Sequence, residues 1–180
     1  HDLVSATPQR VQQSLLLKNE ALLEYFAADS NLYIFLITPE VRDLIEVPLS
    51  EPVADLVQAF RRALIGQEPG FLAASHDLYR LLLAPVADRI AGRDLLIVPD
   101  GALGYLPFEA LLCAPSPPDD HRRLPYLIRR HRLRYSFSAS LALEQAAVER
   151  PSMPEDVLVM APRFEGLEAV AAAGSEEFRR

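Results

Sequence analysis

Few residues in this 180-residue chain have the chemistry to act on a substrate. Cys113 is the only thiol. A catalytic cysteine needs a base to form its thiolate and a place at an accessible strand or helix end. Cys113 instead follows Leu111 and Leu112 at the close of an apolar segment, and reads as a buried or loop cysteine acting as a small hydrophobe. Of the four histidines, His1 opens the chain, His76 precedes Asp77, His121 lies in a proline-rich stretch and His131 sits in a basic run. No pair has ligand-like spacing beside a carboxylate or thiol, so each reads as a surface or capping histidine and no metal or cofactor is expected. Arg129, Arg130, Arg132 and Arg134 flank His131 as the only basic cluster and read as a solvated strand edge; an acidic peptide partner is the other reading. Gly101 and Gly104 beside Asp100 fit neither the dinucleotide fingerprint nor the phosphate loop. Asp119 and Asp120 fall in a loop and carry no inferable acid–base geometry. No catalytic residue is assigned.

The elements that would position these groups alternate between helix-like and strand-like runs, an α/β pattern. The clearest is the stretch 95–112. Leu-Leu-Ile-Val at 95–98 has the length and continuity of a fully buried strand. Pro-Asp-Gly at 99–101 stops and turns it. Residues 105–112 predict a short apolar helix entered through Pro107. Upstream, 4–17 predicts an amphipathic helix, and 21–28 fits either a helix or the first strand of a hairpin with 32–37. The run 32–37 is rich in aromatic and β-branched residues and predicts a strand. A third short strand is expected at 44–49. Ser50 is the expected cap of a helix over 53–65 with Pro52 in its first turn, ended by Gly66. Residues 71–90 predict a helix bent or split by Pro85. Residues 114–125 read as a surface loop and 127–137 as a strand with Leu133, Tyr135 and Phe137 on one face. A serine-capped helix follows over 138–148. Residues 151–155 mark a linker, 157–161 predict a buried strand apolar on both faces, and 167–180 form a final segment.

Half of the residues are apolar, enough for one sizeable core or two small subdomains. The formal net charge of -7 offers no electrostatic case for nucleic acid or an anionic membrane surface. No apolar run reaches the roughly 18 residues of a membrane span. A single cysteine excludes an internal disulfide and points to a reducing, cytoplasmic compartment. Fifteen prolines imply frequent interruptions. The chain opens on His1-Asp2-Leu3, with neither an initiator methionine nor the pattern of a signal peptide, and is expected to be a piece of something longer.

The wording of 95–111, Leu-Leu-Ile-Val-Pro-Asp-Gly-Ala-Leu-Gly-Tyr-Leu-Pro-Phe-Glu-Ala-Leu, resembles the signature of the CHAT domain, a caspase-like domain often found after tetratricopeptide repeats. Leu-Leu-Glu-Tyr-Phe at 22–26 with Leu-Tyr-Ile-Phe-Leu-Ile-Thr at 32–38 resembles that family's opening hairpin, which favours the strand reading of 21–28. The stretches 78–86 and 135–140 resemble the family in the same order. The resemblance implies that 1–150 form an N-terminal, pseudo-protease-like CHAT subdomain and that 156–180 begin the caspase-like core with its first strand and helix. It implies a parent protein that is a cysteine endopeptidase working through a His-Cys dyad, with peptide or protein substrates. The partners implied are the remainder of that core and tetratricopeptide or other effector modules. Neither dyad residue can be carried over: Cys113 and His131 fall in the wrong segments, and this segment is expected to support or regulate the core. The loop after the first core strand can supply an arginine to the pocket for an acidic P1 side chain, and Arg163 occupies that loop. A non-catalytic docking scaffold is the alternative. A histidine after one buried strand and a cysteine after the next, beyond Arg180, would decide between them.

Overall fold

The computed structural model describes residues 6–17, 19–68, 70–116 and 121–147. The expected linker at 151–155, the strand at 157–161, Arg163 and the segment 167–180 lie outside the described residues, as do His1, Asp119 and Asp120.

Three antiparallel strands come first in the sheet: β1 (Glu20–Ala27), β2 (Asn31–Ile37) and β3 (Arg42–Pro48). The segment 21–28 is therefore strand, as the resemblance implied. After two helices, α2 (Val53–Ile65) and α3 (Phe71–Leu82), the chain returns as β4 (Asp94–Val98), parallel to β1. Strand β5 (Leu133–Tyr135) then adds in parallel to β4. The order across the sheet is β3-β2-β1-β4-β5. Two further helices, α1 (Pro8–Ser14) and α5 (Ala139–Ala147), belong to the opposite face from α2 and α3; α4 (Ala87–Ile90) is a single turn.

Strand alternation divides the core in two. Leu23, Tyr25, Leu32, Ile34, Leu36, Leu95 and Ile97 point to the α2/α3 side. There they meet Val57, Phe60, Leu78 and Leu82 together with Leu103, Leu106, Phe108 and Leu111. Leu22, Ile37, Leu96 and Val98 point the other way, to Val11 of α1 and Ala142 and Leu143 of α5. β4 is buried on both faces because it lies between β1 and β5, which is why 95–98 is uninterrupted apolar sequence. Each large side chain fully buried here contributes roughly 1.5–3 kcal/mol.

Four expectations are corrected. Residues 105–112 do not form an α-helix; they make 3-10 turns at Gly101–Tyr105 and Phe108–Ala110. The cause is Pro107, which forces the preceding residue out of the helical region: Leu106 is extended, with ψ 120°. The run 127–137 pairs only over Leu133–Tyr135, with a 3-10 turn at Leu127–Arg129 and Phe137 fully outside the strand. Helix α1 is shorter than 4–17; Thr7 caps it, its side chain accepting from the Arg10 amide at 3.3 Å. Ser50 does not cap α2. The cap position is Pro52, whose carbonyl accepts from Asp55 N–H at 3.0 Å, with no side-chain bond. Gly66 ends α2 and Pro85 splits 71–90 through a 3-10 turn at Ala84–Val86, as expected. Ser138 Oγ accepts from Leu141 N–H at 3.1 Å, the expected serine cap of α5.

Candidate functional site

The carboxyl ends of β1, β4 and β5 meet at the 99–101 turn, where open α/β sheets commonly bind ligands. Asp100 builds the turn. Its Oδ2 accepts from the Ala27 amide at 3.0 Å, tying the end of β4 to the end of β1, and its carbonyl accepts from Leu103 N–H at 3.0 Å. Gly101 has φ 50°, a left-handed conformation that favours glycine. A cleft of about 610 Å³ opens beside it, lined by Pro99, Tyr105, Tyr135, Phe137 and Leu141. Next to it, a second cleft of about 500 Å³ runs between Ile65 of α2 and Tyr105, and the Arg61 guanidinium lies 5.5 Å from the Tyr105 ring centre. Tyr135 donates to Glu109 Oε2 at 2.9 Å, and burial, followed by that bond, pushes the Tyr135 phenol up from its usual value. The lining is mostly aromatic and aliphatic, with Ser136 and Gln145 in the first cleft and Arg61 and Glu109 in the second. It can hold an apolar side chain and offers no activated nucleophile.

The reactive side chains lie elsewhere and are held in structural bonds. Ser75, fully buried in α3, donates to the Ala110 carbonyl at 2.8 Å and accepts from Leu112 N–H at 3.0 Å. His76 Nδ1 donates to the Leu112 carbonyl at 3.0 Å, and its ring stacks on Tyr79 at 6.1 Å. Together they anchor the end of the signature segment to α3. Cys113 follows, half-buried, its amide donating to the Pro125 carbonyl at 2.9 Å. Burial pushes its thiol above the usual value, with Arg130 only partly opposing, so it stays protonated at neutral pH, as its reading as a small hydrophobe requires. His131 is buried, not on the surface, and its Nδ1 donates to the Arg93 carbonyl at 2.7 Å. Arg129, Arg130 and Arg132 are exposed, as expected of a solvated edge. Arg134 differs: its guanidinium donates to both oxygens of the buried Glu20, at 2.5 and 2.8 Å. Sequence reasoning missed Ser75 and the Glu20–Arg134 pair. Among the described residues no group of three or more His, Cys, Asp and Glu is placed to hold a metal, and no helix is long and apolar enough to cross a membrane.

The chain is thus an α/β protein built on a mixed five-stranded sheet, with the 95–111 stretch forming an interior strand and the turns packed on it. The CHAT domain model matches residues 72–177, more than half of the sequence, and the chain belongs to the CHAT family. No curated protein matches it.

Proposed function

We propose that this chain is the supporting part of a caspase-like cysteine endopeptidase. On this reading the described residues brace the core that carries the His-Cys dyad and cut no peptide bond themselves. One observation carries it: the residues that spell the family signature are structural. Leu95, Leu96, Ile97 and Val98 fill the sheet, Leu103, Leu106, Phe108 and Leu111 pack on it, and Asp100 ties two strand ends. The thiol of Cys113, raised by burial, is a poor nucleophile, and His76 and His131 each donate to a backbone carbonyl. In the complete enzyme a thiolate attacks the substrate carbonyl while a histidine moves the protons. Arg163 is assigned to the pocket for an acidic P1 side chain, and tetratricopeptide or other effector modules control access to the core. The single cysteine suits a cytoplasmic location.

The test has two arms. The 180-residue chain, incubated with fluorogenic peptides carrying Asp, Arg or Leu at P1, should release no product; cleavage abolished by Cys113→Ser would sink the reading. In the longer parent protein, Arg163→Ala should lower cleavage after acidic P1 residues. Unchanged rate and P1 preference would remove Arg163 from the site. A second reading, a non-catalytic docking platform, is favoured by one specific observation, the partly uncovered face of the sheet.

A further inference from the structure

The two faces of the sheet are not equally covered. On the α2/α3 side every strand is packed. On the other side, among the described residues, α1 and α5 cover Leu22, Ile37, Leu96 and Val98 and extend no further. Alternation and register place Glu24, Phe26, Tyr33, Phe35, Leu44 and Glu46 on this same side. Phe26 is opposite Tyr33, with ring centres 6.3 Å apart; Phe35 is flanked by Glu24 on β1 and Leu44 on β3. Phe26 is 54% exposed, Phe35 40% and Leu44 53%, so three large apolar side chains form one contiguous patch that no described element covers.

The patch has dimensions and charge that select an occupant. Strands lie about 4.8 Å apart, so β1 to β3 span about 10 Å, the diameter of a single helix. Helices already form the layer on this face, and the patch continues that layer beyond α1 and α5. Glu24 borders it on the β4 side, half-buried beside Phe26, Phe35 and Val98, with no cation bonded to it among the described residues; burial holds its carboxyl above the usual range. Glu46 lies across the patch. Arg42, the cation on this face of β3, sits at the far end opposite Ile37. The face is therefore apolar with carboxylates on its flanks, Glu24 on β1 and Glu46 on β3.

We propose that this uncovered face docks a single amphipathic helix from a partner protein. Its aliphatic stripe would seat on Phe26, Phe35 and Leu44, and a Lys or Arg at the edge of the stripe would reach Glu24. The inference goes beyond the reading given above and holds whether or not the parent cleaves peptides.

The probe is a synthetic amphipathic helix of about five turns, with leucines along one stripe and one lysine at its edge, and a twin carrying glutamate there. Fluorescence anisotropy with the 180-residue chain should give the lysine peptide about tenfold tighter binding than its twin. Glu24→Lys should reverse that order. Leu44→Asp should weaken the lysine peptide about tenfold; Leu44 lies on an edge strand, and circular dichroism checks the fold. Should Leu44→Asp not fold, Phe26→Ser takes its place. Absent binding, equal affinities for the two peptides, or an order unchanged by Glu24→Lys overturns the proposal. So does a dimer in sedimentation that Leu44→Asp dissociates, since the occupant would then be a second copy.

Discussion

Replacing Ser75 with alanine removes one hydroxyl that serves two backbone groups of the signature segment. Its Oγ donates to the Ala110 carbonyl at 2.8 Å and accepts from Leu112 N–H at 3.0 Å. Leu112 is fully buried, so its amide would find neither a protein partner nor water, at a cost of about 1–3 kcal/mol. Ala110 is only half-buried, and hydration of its carbonyl holds the second loss to about 0.5 kcal/mol. The lost oxygen leaves little cavity. The sum is about 1.5–3.5 kcal/mol, or about 3–14 °C in melting temperature for a chain of this size. Urea unfolding followed by circular dichroism measures the global loss, and amide exchange of Leu112 reports the local one. The variant should lower the unfolding midpoint with an unchanged slope and speed exchange at Leu112. A loss below about 0.5 kcal/mol, with Leu112 still protected, would show that the α3 anchor does not hold the segment and that His76 or packing suffices.

Arg134→Met should cost about 1–3 kcal/mol in the same assay by leaving the Glu20 carboxylate buried without its cation, and adding Glu20→Gln should recover part of it. Glu24→Gln tests the effect of burial. A carboxyl raised in the folded state favours folding at pH below its unfolded value of about 4.3 and loses that contribution as pH rises through the folded value. The variant should therefore melt higher than the parent at pH 7 and match it near pH 3; identical melting at pH 7 would contradict the burial. A chain cut to residues 72–180 should show no cooperative unfolding transition, because it lacks β1, which pairs with β4 along its whole length, and loses α1 and α2 from the two layers that cover the sheet.

Sequence alone disclosed the elements whose cause is local. Four apolar residues between Asp94 and the strand-stopping Pro99 fit a strand buried on both faces, and β4 is that strand, between β1 and β5. The helical spacing of Val53, Val57 and Phe60 matched α2 because one side of that helix meets the sheet. Apolar spacing misled at 105–112, where Pro107 overrode it through the backbone of Leu106. It misled again at 127–137, where alternation suggested a long strand but β4 offers a partner only from Leu95 to Ile97. The anchoring bonds left no local trace. Ser75 and His76 reach groups 35 to 37 residues away, and Glu20 and Arg134 are separated by 114. A buried serine whose partners are backbone atoms is indistinguishable, in a single sequence, from one facing solvent.

The sheet also bears on where this folding unit begins. The family match starts at residue 72, within α3. β4, which carries the signature, is hydrogen-bonded along its whole length to β1, from Glu20 opposite Asp94 to Glu24 opposite Val98. Asp100, the turn residue of the signature, accepts its bond from Ala27, also on β1. Glu20 at the other end of β1 holds Arg134 on β5. The strands inside the match are thus fastened at three points to one strand outside it. β1 in turn lies between β4 and β2, and Leu32, Ile34 and Leu36 of β2 complete the layer under α2 and α3. Removing residues before 72 would expose the inner edge of β4 and take from α3 its neighbour α2 and the β1 and β2 part of the layer it packs on. The physical domain therefore extends to β1 at least. The hairpin at 22–38, whose sequence resembles the family's opening hairpin, is part of the core that the signature needs in order to fold.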